Sequence, residues 1–175
     1  MPRHQGAPFP SVAGRTLLRT GRAKIIVVDT STIKAILLNE KQAGEFAHMI
    51  EECGLALVSA GNAIELAAVA SRSEAPIETA LDFLRQPWVR IEPVDSDQVT
   101  VAAAAYCRFG KGHHPAGLNF GDVFAYALAR SRNLPLLYQG DDFARTDIVP
   151  PSSTSLGERT RTSRDSSVIH QRSGS

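Results

Sequence analysis

Lys24-Ile25-Ile26-Val27-Val28-Asp29-Thr30-Ser31 sets four consecutive β-branched residues ahead of one acid and two hydroxyls. A short apolar run without polar alternation predicts a strand over 24–28 buried on both faces, as in a parallel sheet. Thr30 and Ser31 are helix-capping candidates, and residues 31–38 can form a short helix. The same strand-then-helix pattern returns along the chain. Leu55–Val58 predicts a second strand, with Ser59 near the start of a helix over 60–71. Trp88–Ile91 predicts a third, ended by Pro93, and Leu134–Tyr138 a fourth. Lys41–Cys53 places Ala43, Phe46, Ala47 and Ile50 at helical spacing, and Gly54 stops it. Pro76–Gln86 reads as a helix with proline in its first turn, and Ser96–Phe109 as an alanine-rich one. Phe120–Arg132 reads as the strongest amphipathic helix, with Phe120, Phe124, Ala127 and Leu128 on one face. Residues 110–118 read as a polar loop. Strands separated by such helices imply parallel β-α-β units, hence an α/β fold with a central parallel β-sheet flanked by α-helices.

A length of 175 residues suits one domain, and an apolar fraction of 43% is ordinary for a globular chain. Cys53 and Cys107 have neither disulfide-framework nor zinc-site spacing, so a reducing cytoplasm is expected. The longest apolar stretches, such as Ala63–Ala70 with Glu65 inside it, are too short to span a bilayer. No apolar segment followed by a cleavage site marks a secretory signal, and no membrane partner is expected. The net charge of +1 conceals a split. Residues 1–23 carry four Lys/Arg and no acid, residues 24–150 eleven Lys/Arg against sixteen Asp/Glu, and residues 151–175 four against two. The first segment reads as a flexible arm, the second as the folded domain, and the Ser/Thr/Arg-rich third as a disordered tail. A polyanion-binding core is more usually basic. An acidic one fits better if its carboxylates converge on a cation.

In parallel sheets ligands gather beyond the carboxyl ends of the strands. Asp29 directly follows the first strand, and Glu65 lies in the second turn of the helix after the second. Asp122 lies in the first turn of its helix, and Asp141 and Asp142 lie just past the fourth strand. One fold can therefore bring four carboxylates from distant segments to one edge. Mg²⁺ (or Mn²⁺) prefers oxygen ligands and keeps several waters, so a few carboxylates suffice. Bound cations also relieve the mutual repulsion that would raise the pKa values of the cluster. Such ions assist in-line phosphodiester displacement. Each acid alone also has a structural reading. Asp29 can cap a helix, Asn119-x-x-Asp122 resembles a capping box, Glu65 can line an exposed helix edge, and Asp141–Asp142 can form a turn after Gly140. His113 and His114 suit a solvent-exposed loop better than acid–base work. Arg108, Lys111, Arg130, Arg132 and Arg145 suit the surface or phosphate contact. Trp88 reads as core, and Phe46 and Met49 as core or a dimer face.

Four blocks in order resemble the PIN-domain family, specifically the VapC-type ribonuclease toxins of bacterial toxin–antitoxin pairs. They are Ile26-Val27-Val28-Asp29-Thr30-Ser31, Ser59-Ala60-x-Asn62-x-x-Glu65, Asn119-Phe120-Gly121-Asp122-x-Phe124-Ala125-Tyr126-Ala127-Leu128-Ala129, and Gly140-Asp141-Asp142-Phe143. The loop Gly110-Lys111-Gly112-x-His114-Pro115-Ala116-Gly117-Leu118 matches one branch of that family. The resemblance implies a PIN-like fold and an Mg²⁺- or Mn²⁺-dependent endoribonuclease that inhibits translation. It further implies an RNA substrate such as tRNA, a cognate VapB-type antitoxin and a homodimer. By position, Asp29, Glu65 and Asp122 match the first three acids of the family. Many relatives carry Asn-Asp here where this chain has Asp141-Asp142; Asp142, anchored by the following Phe143, is favoured as the fourth, with Asp141 as the alternative. Thr30, Ser31 and Asn119 become supporting residues. Two other readings stay open. An aspartyl-phosphate enzyme built on Asp29 would need a second Asp where Ser31 stands, and a non-cutting PIN module would bind RNA or a protein partner.

Overall fold

The computed structural model describes residues 24–72 and 76–151. The arm expected over 1–23 and nearly all of the tail expected over 151–175 lie outside the described residues. Strands β1 (Lys24–Val28), β2 (Gly54–Ser59), β3 (Val89–Glu92) and β4 (Leu136–Leu137) form one parallel sheet in the order β3-β2-β1-β4. The register pairs Ile26 with Ala56, Val27 with Leu136, and Leu57 with Arg90. Helices α1 (Thr30–Leu37), α2 (Ala43–Cys53), α3 (Ala60–Ala70), α4 (Ile77–Leu84), α5 (Ser96–Phe109) and α6 (Asp122–Arg132) cover both faces.

Successive side chains of a strand point to opposite faces, so the β-branched run of β1 serves two cores at once. Ile26 and Val28 pack with Ile33, Phe46, Ile50, Leu66, Phe83 and Trp88 on the side of α1–α4. Val27 and Leu57 pack with Phe109, Leu118, Ala125, Leu128 and Leu136 on the side of α5 and α6. Trp88 is buried and meets Phe83 edge-on, with ring centroids 5.2 Å apart. Phe46 is core as expected, and Met49 packs against that core half-buried. At the α2–β2 junction no loop intervenes. Gly54 ends the helix at φ +80 and begins the strand, a left-handed conformation that side chains disfavour.

Two sequence expectations need correction. The helix expected from Phe120 begins at Asp122, leaving Phe120 in the preceding turn and 74% exposed. Its interior is not one-sided either. Val123, Ala125, Tyr126, Ala127, Leu128 and Ala129 are all buried, because α6 lies between the sheet and α5 with a small alanine at every second position. The fourth strand is shorter than expected for a local reason. Pro135 has no N–H to donate, and the Leu134 N–H bonds back to Ala129 in the end of α6. Pro135 and Leu134 therefore limit β4 on its N-terminal side, where the Pro135 carbonyl still accepts from the Val27 N–H at 2.9 Å.

Residues 110–118 form a fastened turn. Gly110 and Leu118 make an isolated bridge, and the His114 ring accepts from the Ala116 N–H at 3.0 Å. The His113 ring nitrogen lies 3.0 Å from the Tyr106 carbonyl. His113 thus holds the turn to α5, and His114 braces the turn from within. Among the described residues no helix is long and apolar enough to cross a membrane.

Candidate active site at the carboxyl edge of the sheet

The ends of β1 and β2, neighbours at the centre of the sheet, launch the two helices that build the site. Asp29 leaves β1 in extended conformation and caps α1, its Oδ2 accepting from the Ser31 N–H at 2.9 Å and from the Ser31 hydroxyl. Ser59 ends β2 and caps α3, its hydroxyl accepting from the Gly61 N–H at 3.3 Å. That start places Asn62 and Glu65 three residues apart on one helix face, over the end of β1. The third segment is the turn before α6. Asn119 Oδ1 accepts from the N–H groups of Gly121 (2.6 Å) and Asp122 (3.1 Å), and Asp122 Oδ2 accepts from the Asn119 N–H (2.7 Å). This is the reciprocal bonding of a capping box, with Asp in place of Glu or Gln.

Asn62 joins the three segments. It is fully buried, and its Nδ2 lies 3.1 Å from the Gly121 carbonyl, 3.2 Å from Thr30 Oγ1, 3.3 Å from Glu65 Oε2 and 3.5 Å from Asp29 Oδ1. The Thr30 hydroxyl donates to Glu65 Oε2 at 2.8 Å. Gly121 is required here by close approach, since a Cβ on it would overlap the Glu65 carboxylate. A fourth segment is tied on through Ser31, whose hydroxyl accepts from the Gln139 N–H at 3.1 Å. Asp141 and Asp142 follow, both exposed. Asp142 acts electrostatically on Asp122, whereas Asp141 acts on Tyr138.

The structure therefore brings Asp29, Glu65 and Asp122 into one bonded unit, with Asp142 near enough to bear on it. Two residues given no role from sequence, Asn62 and Gly121, connect the unit. Asp29, Asp122 and Glu65 share one trait. Each commits one carboxyl oxygen to the fold and leaves the other nearly or wholly uncommitted. Among the described hydrogen bonds none ends on Asp122 Oδ1 or Glu65 Oε1, and Asp29, whose carboxylate also feels the Thr30 N–H, has on Oδ1 the long contact with Asn62. Nor do these acids or Asp142 join any ion pair among the described residues. The arginines weighed from sequence are engaged elsewhere. Arg108 and Arg130 face Asp147, Arg132 holds Glu92, and Arg145 donates to the Pro115 carbonyl.

Unpaired acids at close quarters hold their protons. Burial first, then the charges of Asp29, Asp142 and Glu65, push the Asp122 carboxyl up to about 7 against the bonds from Asn119. Burial chiefly, with Glu65 adding to it, raises Asp29 as well, although Ser31 pulls the other way. Raised folded-state values mean the unfolded chain releases these protons first as pH rises. Their contribution to stability is therefore complete below about pH 4 and is lost as pH climbs to about 7. In EDTA, the thermal midpoint should fall by about 5 °C between pH 5 and pH 8, and Mg²⁺ or Mn²⁺ at pH 8 should restore it. Asp147, lowered chiefly by its bond from Tyr126, loses its contribution only at more acid pH and does not blur this window.

An oxygen-only set with excess negative charge and uncommitted oxygens fits a hard divalent cation. Among the described residues, however, no three His, Cys, Asp or Glu side chains stand close enough to enclose one directly. The fit is to an ion that keeps several of its waters, as Mg²⁺ does.

The PIN domain family matches residues 26–149, a span that includes every residue of this edge. The chain belongs to the PIN-domain family. Its PIN domain is 43% identical over 128 residues to ribonuclease VapC42 of Mycobacterium tuberculosis, covering 71% of this chain and 98% of that protein. Ribonuclease VapC28 of the same organism is 41% identical over 126 residues, covering 70% of this chain and 95% of that protein. Among solved structures, the PIN domain superposes on Mycobacterium tuberculosis VapC20, described as a Sarcin-Ricin loop cleaving toxin. The TM-score is 0.59 at 19% identity, covering 71% of this chain and 96% of that one. A toxin–antitoxin complex from Klebsiella pneumoniae gives 0.56 at 16% identity, covering 72% and 96%. At these identities the structural matches establish the PIN fold itself.

Proposed function

We propose that this PIN domain is a divalent-metal-dependent endoribonuclease, the toxin of a toxin–antitoxin pair that inhibits translation by cleaving RNA. The observation that carries the reading is the half-committed state of its carboxylates. Asp29, Glu65 and Asp122 each use one oxygen to build the edge and keep the other available, and among the described residues none of them is paired with a cationic side chain. A purely structural cap gains nothing from two raised pKa values at one site. Asp29 and Asp122 would hold the ion directly, and Glu65 and Asp142 would complete the pocket or orient water. Asn62, Thr30 and Ser31 would fix the ligand oxygens, as groups behind metal ligands do. A bound cation supplies charge stabilisation for in-line displacement at phosphorus. The chain's own residues would position the ion and fix the approach of the phosphodiester.

The ribonuclease names of the relatives support RNA as substrate, and the toxin–antitoxin neighbours support a VapB-type antitoxin as partner. Transfer RNA is the first substrate to try, and a homodimer the expected assembly. The absence of a preassembled three-carboxylate cage among the described residues favours one rival, a PIN module that binds without cutting. Both are tested by incubating the purified protein with bacterial transfer and ribosomal RNA in Mg²⁺, Mn²⁺ or EDTA. Discrete fragments in either metal, and none in EDTA, are expected. Metal-dependent RNA binding without any product would establish the rival instead.

A further inference from the structure

We infer that Phe120 is a stacking platform for one unpaired base of the substrate, beside the phosphodiester held at the carboxylate edge. The inference rests on the ribonuclease reading and names a contact that the acids cannot make. Phe120 is 74% exposed, outside any helix or strand, in a turn whose every neighbour is fastened. Asn119 and Asp122 bond to each other around it, and the next carbonyl, that of Gly121, is within bonding distance of the Asn62 amide. The ring is therefore held outward by a rigid turn.

Its ring partner among the described residues is equally fixed. Phe120 meets Phe124 edge-to-face, with centroids 5.0 Å apart and an interplanar angle of 86°. Phe124 is seated on Gly61 so closely that a Cβ there would overlap its ring. Gly61 opens α3, the helix that carries Glu65, and Glu65 in turn presses on Gly121 beside Phe120. Aromatic pair and carboxylates thus share one frame.

Charge selects the occupant. The edge is acidic, and none of its carboxylates is paired with a cation among the described residues, so it repels the phosphate backbone on either side of a bound metal. A neutral aromatic face grips nucleic acid without that conflict and tolerates any base. A second copy of the chain covering Phe120, together with the 73% exposed Ile64 of α3, is the competing occupant.

The test uses the full chain. Phe120→Ala should raise KM for transfer RNA by roughly 5- to 100-fold, the range for losing one base–aromatic stack, whereas Phe120→Trp should keep KM near the parent value. In an Asp29→Asn background, which prevents cleavage, an oligoadenylate decamer should quench the exposed indole of the Phe120→Trp variant. The native Trp88 is buried and contributes a constant background. Two results overturn the inference. One is a Phe120→Ala KM within about twofold of the parent, with no quenching by oligoadenylate. The other is conversion of a parent dimer to monomer by Phe120→Ala, measured by light scattering, which assigns the ring to a second copy. If the parent cuts no RNA, the ribonuclease reading falls separately, and the quenching measurement alone decides whether Phe120 stacks.

Discussion

Asp122→Asn is expected to lower the rate of RNA cleavage by more than about 100-fold while leaving the protein folded, and Asp29→Asn to do the same. Residues that merely support a metal ligand cost 10- to 100-fold when lost, so a direct ligand should exceed about 100-fold. The fold is spared because asparagine can repeat the structural half of each role. It caps helices as well as aspartate does, so the bond to the Ser31 N–H survives at position 29. At position 122 the amide oxygen can still accept from the Asn119 N–H. What disappears is the charge. With burial and three neighbouring acids holding Asp122 at about 7, its neutral replacement should make the metal-free protein at pH 8 no less stable than the parent. A variant that cuts as fast as the parent would remove that carboxylate from the active site. A large loss of thermal stability would show instead that the cap needs the charge.

Gly121→Ala should lose about 10- to 100-fold in cleavage with little change in stability. The glycine has ordinary helical angles, φ −70 and ψ −43, so alanine brings no backbone strain. The three atoms nearest the added methyl all belong to the carboxyl end of Glu65. That end belongs to a half-buried, flexible side chain and can swing away. Doing so breaks its bonds with Thr30 and Asn62 and withdraws its second oxygen from the edge. Glu65→Gln should cost a similar factor, and the double variant little more than either alone, because both changes remove one contribution. Gly44→Ala is the matched control, since nothing lies within 4 Å of a Cβ at that exposed helical position. Full activity in Gly121→Ala would mean that Glu65 does not need its present position.

The fold was legible because its strongest signals are local. Four β-branched residues without alternation can hardly be anything but a strand covered on both sides, and β1 is that strand. Gly54 announced the end of α2 through a backbone conformation that glycine tolerates best. Where two local signals competed, periodicity alone misled. Phe120 and Phe124 are spaced as a helical pair, but the side chain of Asn119 bonds the N–H groups of Gly121 and Asp122, and the helix starts only at Asp122. The acids were legible for their places at strand ends. The residues joining them were not. A helical asparagine reads as surface, and nothing in the neighbourhood of Asn62 in sequence tells that acceptors from residues 29, 30, 65 and 121 will surround it. The choice between Asp141 and Asp142 likewise depends on the direction taken by a turn. The structure sets the charge of Asp142 against Asp122 and that of Asp141 against Tyr138.

The bonds of Asn62 also fix when, during synthesis, the carboxylate edge can be completed. Its partners are Asp29 just past β1, Thr30 of α1, Glu65 of α3 and Gly121 in the turn before α6, and the last of these is made after the others. A nascent chain that has exposed only its first hundred or so residues holds Asp29 and Glu65 but neither the Gly121 carbonyl nor Asp122. The strand that pairs with the other side of β1 is younger still. The edge therefore cannot close until both the turn before α6 and β4 have been made, and any shorter nascent chain lacks the completed set of carboxylates.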